Sequence, residues 1–350
     1  MKKWSLTLAV LLVMSLLVSL GCAQKPAAPA AHEPYDVIVL GATAGGAAYI
    51  ASVGLAEIMN KYHPWLKATA QETFGSVDNV KKIDGDPRSF GVVSDITYWL
   101  ALEGNKPFEK KYPGLRAVGL NYVGTYTLVS MNPKIKTKED LVGKKIAMGK
   151  KGSSISNCSE FVLGDMWGML DKVDAQYIGW KEGRAAIKDG LVDAMLIVIG
   201  LSADDAGNII WVEHPSFAEL IALQEVYFIG PTEAEVQKGM KAKGWPAVYM
   251  YVPPKALGAN QPDGSGVITI MNAFMADASM PDDVAYEVIK VQYDHYKEWG
   301  NYAAHVKFIT PDTLGFAPVS SEDGFHPGAL KFLKEKGVKF YIGGNAPPLE

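Results

Sequence analysis

A short apolar run, Val37-Ile-Val-Leu40, gives way to Gly41-Ala-Thr-Ala-Gly-Gly-Ala-Ala-Tyr49 and then to helical spacing as far as residue 61. This is the pattern of a buried strand, a glycine-rich turn and a helix. Similar alternation follows. It predicts strands at 67–72 and 90–93 and helices from Ser76 and from Ser94 or Asp95, with the Ser76 hydroxyl as an N-cap. Tyr126-Thr-Leu-Val-Ser130 and Ala247-Val-Tyr-Met-Tyr-Val252 read as extended crossings. Between them the pattern predicts a capped short helix at Thr137–Asp140, strands at 145–148, 175–178 and 194–199, and helices at 153–170 and 181–189. Pro281 opens an amphipathic helix to about residue 302, and His326-Pro327-Gly328 opens the last one.

Strand and helix patterns in alternation predict an α/β fold built on parallel sheets. The length after the leader suits two lobes: 36–125 with 253–350, and 131–245, hinged near 126–130 and 246–252. Ligands of open α/β sheets sit beyond the carboxyl ends of the strands. The turns at Gly41–Tyr49 and Gly152–Asn157 are therefore expected on facing edges of a clamp.

The N-terminus changes the setting. Lys2 and Lys3 precede an apolar run to Leu20 and then Gly21-Cys22, the pattern of an export signal over 1–22. Gly21-Cys22 also resembles a lipobox, with Ser19 where leucine is usual, so Cys22 is the expected lipidation site and membrane anchor. Residues 23–35, rich in Ala and Pro, read as a tether. Loss of Lys2 and Lys3 with the leader moves the formal charge from −4 to −6. No basic cluster points to nucleic acid. Cys22 and Cys158 are the only cysteines and the six histidines are scattered, so neither a cysteine-type zinc site nor another metal centre is expected.

A glycine turn into a helix offers backbone N–H groups to an anion. A dinucleotide pyrophosphate requires glycine where this chain has Thr43, and an acid about twenty residues on, where the nearest is Glu72, about thirty residues past Gly41. A flavin- or nicotinamide-dependent oxidoreductase built on Gly41–Gly46 is therefore the weaker reading. A nucleophile at Ser153, Ser154 or Cys158 lacks both a nearby histidine and a Gly-x-Ser-x-Gly elbow. The stronger reading is a receptor without cofactor or catalysis. In it, four helix starts with Gly, Ser or Asn hold one or two carboxylates without an arginine.

Over most of its length the chain resembles the solute receptors of the TAXI subfamily of tripartite ATP-independent periplasmic (TRAP) transporters. The resemblance is carried by Gly41-Ala-Thr-Ala-Gly-Gly-Ala-Ala-Tyr49, Phe74-Gly-Ser-Val-Asp-Asn79, Val93-Ser-Asp95, Leu141-Val-Gly-Lys-Lys-Ile-Ala-Met-Gly149, Gly190-Leu-Val-Asp-Ala194 and Phe325-His-Pro-Gly-Ala-Leu-Lys-Phe-Leu-Lys-Glu-Lys-Gly337, in order and spacing. It implies a type II periplasmic-binding-protein fold that closes on a small organic acid such as a dicarboxylate, a 2-oxo acid or glutamate. It also implies delivery to an ion-driven membrane permease; an ATP-driven importer is the near alternative.

Carried over by position, the implied ligand contacts are Gly45, Gly46, Tyr49, Ser76, Asn79, Ser94, Asp95, Ser153 and Ser154, with Trp180 as an aromatic floor. The second turn departs from the family's Pro-Gly-Ser-Gly-Thr: Ser154 and Ile155 replace its last two residues and make that wall more aliphatic. Lys150 and Lys151 stand beside it as solvated or steering charges.

Overall fold

The computed structural model describes residues 32–151, 153–204, 208–243, 245, 247–319 and 321–341. The chain divides at Pro34, and the unit that begins at Tyr35 carries the fold. Cys22 and the 1–22 signal lie outside the described residues, as does most of the tether.

One sheet of eleven strands runs through this unit, with two parallel blocks joined by long antiparallel strands. The first block is β1 (Tyr35–Leu40) between β2 (Leu66–Gln71) and β3 (Ser89–Ser94), all parallel. The second is β5 (Lys145–Ala147) between β6 (Asp174–Gln176) and β7 (Ala194–Ala203), again parallel. Between the blocks run β4 (Leu115–Ser130) and β11 (Ser265–Asp277), antiparallel to each other and to their outer neighbours β7 and β3. Nearly every residue of these two strands is buried, so they have no alternation for a sequence pattern to catch. The expectation accordingly covered only the end of β4 and none of β11.

Residues 248–252 form β10 (Val248–Val252), antiparallel to the first half of β11; the second half of β11 pairs with β3. Short β8 (Ile209–Glu213) and β9 (Tyr227–Ile229) flank β7 and β4. Neither was expected.

The crossover helices of the first block are α1 (Ala47–Tyr62), α2 (Ser76–Ile83) and α3 (Asp95–Glu103). In the second, α4 (Ser154–Glu160) continues as a π-helical turn, Phe161–Met166, and ends at Gly168 (φ +64°). That left-handed glycine stops the helix short of the expected residue 170. The remaining helices are α5 (Trp180–Lys188), α6 (Pro215–Leu223), α7 (Glu233–Lys243), α8 (Asp282–Trp299) and α9 (Pro327–Lys336). Asp140 accepts from the Thr137 N–H and hydroxyl at 2.9 Å each, as the capping pattern predicts, although the helix it starts is a single 3-10 turn.

Buried Leu55, Met59, Phe90, Phe274, Val288 and Trp299 anchor α1 and α8 on the first block. Trp299 donates its indole N–H to the Ala51 carbonyl at 2.9 Å.

Candidate functional site

At the end of β1 the chain turns through Gly45 (φ +80°), a conformation that favours glycine, and enters α1 with Gly46 as an N-cap that has no side chain. The turn already binds one carboxylate: Glu72 accepts the Ala44 N–H at 2.9 Å. Tyr49 is half-buried against Gly41, where an added Cβ would lie 2.9 Å from its ring.

Behind the turn is a buried scaffold. Asn79 donates its amide to the Gly41 and Val92 carbonyls, both at 2.7 Å, and Thr73 donates its hydroxyl to the same Gly41 oxygen. Asn79 is fully buried within the first block. Ser76 is not the N-cap of α2. Gly75 takes that place at φ +104°, and the Ser76 hydroxyl instead accepts the Ser94 N–H at 3.2 Å. Ser94 caps α3 as expected, accepting from the Thr97 N–H.

Asp95 is 1% exposed, and its two oxygens accept the Ile96 and Met271 N–H groups at 2.6 and 3.1 Å. Burial raises its pKa to about 8 despite these hydrogen bonds, so the carboxyl is largely protonated at neutral pH.

In the second block Ser153 caps α4, accepting from the Ser156 N–H at 3.2 Å; Gly152 and the Ser154 side chain lie outside the described residues. One turn into α4, Cys158 is buried, and burial followed by the Asp95 charge raises its thiol pKa. α3 and α4 therefore pack against each other, with the Cys158 thiol of α4 within electrostatic reach of Asp95 at the start of α3. Trp180, the first residue of α5, is half-buried at the junction of the two hydrophobic clusters, with no bond to the other expected contacts among the described residues.

The sequence reading missed a pair of tyrosines on β4. Tyr122 and Tyr126 project from the same face of β4, and their hydroxyls lie 3.5 Å apart. Both phenols are pushed up by burial, Tyr122 to about 12 and Tyr126 further, and the Asp95 and Cys158 charges act in the same direction. The Tyr122 ring stands edge-on to His305, with centroids 5.9 Å apart, and His305 Nε2–H donates to the Ala47 carbonyl at 3.2 Å. His305 thus links the first turn of α1 to the Tyr122 ring, and Tyr122 pairs with Tyr126, while the Asp95 and Cys158 charges bear on both phenols from a distance. The available signal was the spacing of Tyr122 and Tyr126, four apart with Gly124 between them, which puts two phenols on one strand face.

At the mouth, the Lys150 ammonium lies 5.4 Å from the ring centroid of Phe74, which is 85% exposed. Trp99 of α3 meets Trp245 edge-on at 6.0 Å, and Trp245 leans on Phe161 at 4.6 Å. Among the described residues no group of three or more His, Cys, Asp or Glu is placed to hold a metal, and no helix is long and apolar enough to cross a membrane.

Parallel blocks bridged by two long antiparallel strands, with helix starts gathered along their junction, define the two-lobe fold of the type II periplasmic binding proteins. Solved structures share it. MatC from Rhodopseudomonas palustris with bound malate aligns with a TM-score of 0.52 at 13% identity, over 86% of this chain and 96% of that one. A protein described as a periplasmic transporter aligns with a TM-score of 0.50 at 13% identity, over 87% and 95%. The NMT1-like family matches residues 39–337, and the chain belongs to that family. No curated protein matches the chain.

Proposed function

We propose that the protein is an extracytoplasmic receptor that binds a small organic anion in the cleft between the two turns and passes it to a membrane permease, without catalysis or cofactor. The observation that carries this reading is the packing of α3 against α4, which brings helix starts from different blocks together, with Cys158 one turn into α4 within electrostatic reach of Asp95. Helix starts attract negative charge, and the Glu72 carboxylate on Ala44 N–H is an internal instance of that chemistry.

In this reading Gly45, Gly46, Tyr49, Ser76, Ser94 and Asp95 line the first lobe (36–125 with 253–350). Ser153, Ser154 and Trp180 line the second (131–245), and closure flexes the chain near 126–130 and 246–252. Asn79 supports the turn from behind. The ligand class is a dicarboxylate, 2-oxo acid or glutamate-like acid. The partner is a TRAP-type ion-driven permease, with Cys22 lipidated as the membrane anchor in the periplasm or at the cell surface. The resemblance to TAXI receptors supports these finer points.

Thermal-shift screening of the purified protein against organic acids and amino acids tests the reading, since a ligand of the folded state raises the midpoint. A stabilising carboxylate is expected. Indifference to all of them, with visible absorption from a bound flavin, would overturn it in favour of the oxidoreductase.

A further inference from the structure

We propose that the Tyr122 and Tyr126 hydroxyls, brought together over Gly124, are the donors that receive the carboxylate of the ligand. This rests on the receptor reading and adds to it two hydroxyl donors on β4. Residues four apart on a strand share a face but are ordinarily separated by the side chain between them. Here the intervening residue is Gly124, and an added Cβ would lie 3.1 Å from both tyrosine rings and 3.2 Å from the Tyr126 hydroxyl. The rings lean into that space and their oxygens converge to 3.5 Å.

Two phenols carry two hydroxyl hydrogens, and this contact, at the outer limit of a hydrogen bond, engages one. The second has no acceptor among the described residues and lies on Tyr126, 2% exposed, or on part-buried Tyr122, according to which hydroxyl donates. A donor so shielded from water and without an acceptor is unfavourable, so the pair is poised for one.

The surroundings select the kind of acceptor. Both Asp95 oxygens are engaged by backbone N–H groups, and burial keeps the acid largely neutral. The Cys158 thiol and both phenols also stay protonated at neutral pH. Donors are in surplus and acceptors are committed, which favours an anionic oxygen over an ammonium group. His305, edge-on to Tyr122 and bonded to Ala47, connects this donor pair to the first turn of α1. One small acid would then touch both phenols and a helix start.

The test uses malate, 2-oxoglutarate and L-glutamate as probes, with thermal shift and titration calorimetry on the wild type, Tyr122→Phe, Tyr126→Phe and the double variant. Phenylalanine keeps the ring and removes only the hydroxyl, so the unliganded midpoint serves as the folding control. A hydrogen bond to a charged group predicts roughly a tenfold to hundredfold loss of affinity for each hydroxyl that contacts the ligand. Gly124→Ala should weaken the same probe without touching it, and should add little in the double tyrosine variant, as expected for a positioning residue.

Equal affinity in wild type and double variant would overturn the tyrosine assignment and leave the receptor reading standing. A wild type stabilised by none of the three acids would remove the carboxylate reading and this proposal with it. If a tyrosine variant does not fold, ultraviolet difference absorption of the wild type decides. Ligand binding should perturb the tyrosine band, and an unchanged band at saturation would overturn the assignment.

Discussion

Asn79 reaches back 38 residues to the Gly41 carbonyl at 2.7 Å, and the same amide group holds Val92 at the end of β3. The glycine turn is therefore set from behind by one fully buried side chain. Removing it takes one donor from each of two buried carbonyls, Thr73 still serving Gly41. Asn79→Ala should destabilise the protein by about 2–4 kcal/mol in urea unfolding. Unchanged stability with weakened ligand binding would instead assign Asn79 to the ligand.

Stability should peak near pH 6.5. Burial lowers His214 to about 3, aided by the His305 and Arg184 charges, and lowers His305 to about 4. A depressed histidine contributes stability that is present above its unfolded value of 6.5 and is lost as pH falls through the folded value. Asp95 has the opposite sign. Its folded value of about 8 lies above the unfolded 3.8, so its contribution is complete in acid and fades as pH rises through 8. Below pH 6.5 these two histidines, joined by His326, which burial also lowers, outweigh the one aspartate, and from 6.5 to 8 the aspartate gives the falling limb. That limb has a slope of about 1.4 kcal/mol per pH unit, and the acid limb is at least as steep just below pH 6.5. Asp95→Asn should flatten the alkaline limb, and an optimum at pH 8 or above would refute the assignment.

Affinity for an anionic ligand should fall as pH rises past 8, where Asp95 ionises beside the site. The groups facing it are the Tyr122 and Tyr126 phenols, the Cys158 thiol, and the Ile96 and Met271 N–H groups, none of which supplies a compensating cation. Calorimetric titrations from pH 6 to 9.5 should show the decline in wild type and none in Asp95→Asn. A flat wild-type profile would place the ligand away from Asp95.

Phe74 and Lys150 join the loops before α2 and α4. Phe74 is largely exposed, so Phe74→Ala should change stability by less than about 0.5 kcal/mol. Loss of the cation–π contact, worth about 0.5–1 kcal/mol, should weaken ligand binding about two- to fivefold if the contact forms on closure. A stability loss above 1 kcal/mol with unchanged affinity would show that the contact belongs to the fold instead.

The parallel blocks were legible because their strands are short, bounded by glycine or polar turns, and followed by helices with recognisable caps. The predicted strands of β2, β3 and β5 lie within a residue of the observed ones at each end, and β1 begins two residues earlier than predicted. Ser94 caps and Asp140 reaches back to Thr137 as their side chains predict, and the turns at Gly152–Asn157 and His326–Gly328 open helices as expected, capped by Ser153 and His326. Ser76 was misread because Gly75 takes the cap by a backbone conformation that a side-chain rule does not register. β4 and β11 escaped because strands buried on both faces have no period-two signal, and their pairing joins residues more than a hundred positions apart.

The glycine turn into a helix and the alternating α/β blocks follow from local sequence, since φ freedom, capping and alternation act over a few residues. The bringing of Tyr122 and Tyr126 to within 3.5 Å over Gly124 was decided by tertiary structure. So were the placing of Cys158 against Asp95, the raising of that acid to about 8 and the use of Asn79 as a scaffold rather than an exposed contact. Each depends on desolvation and on partners from distant strands, quantities that exist only once β4 and β11 have joined the two blocks.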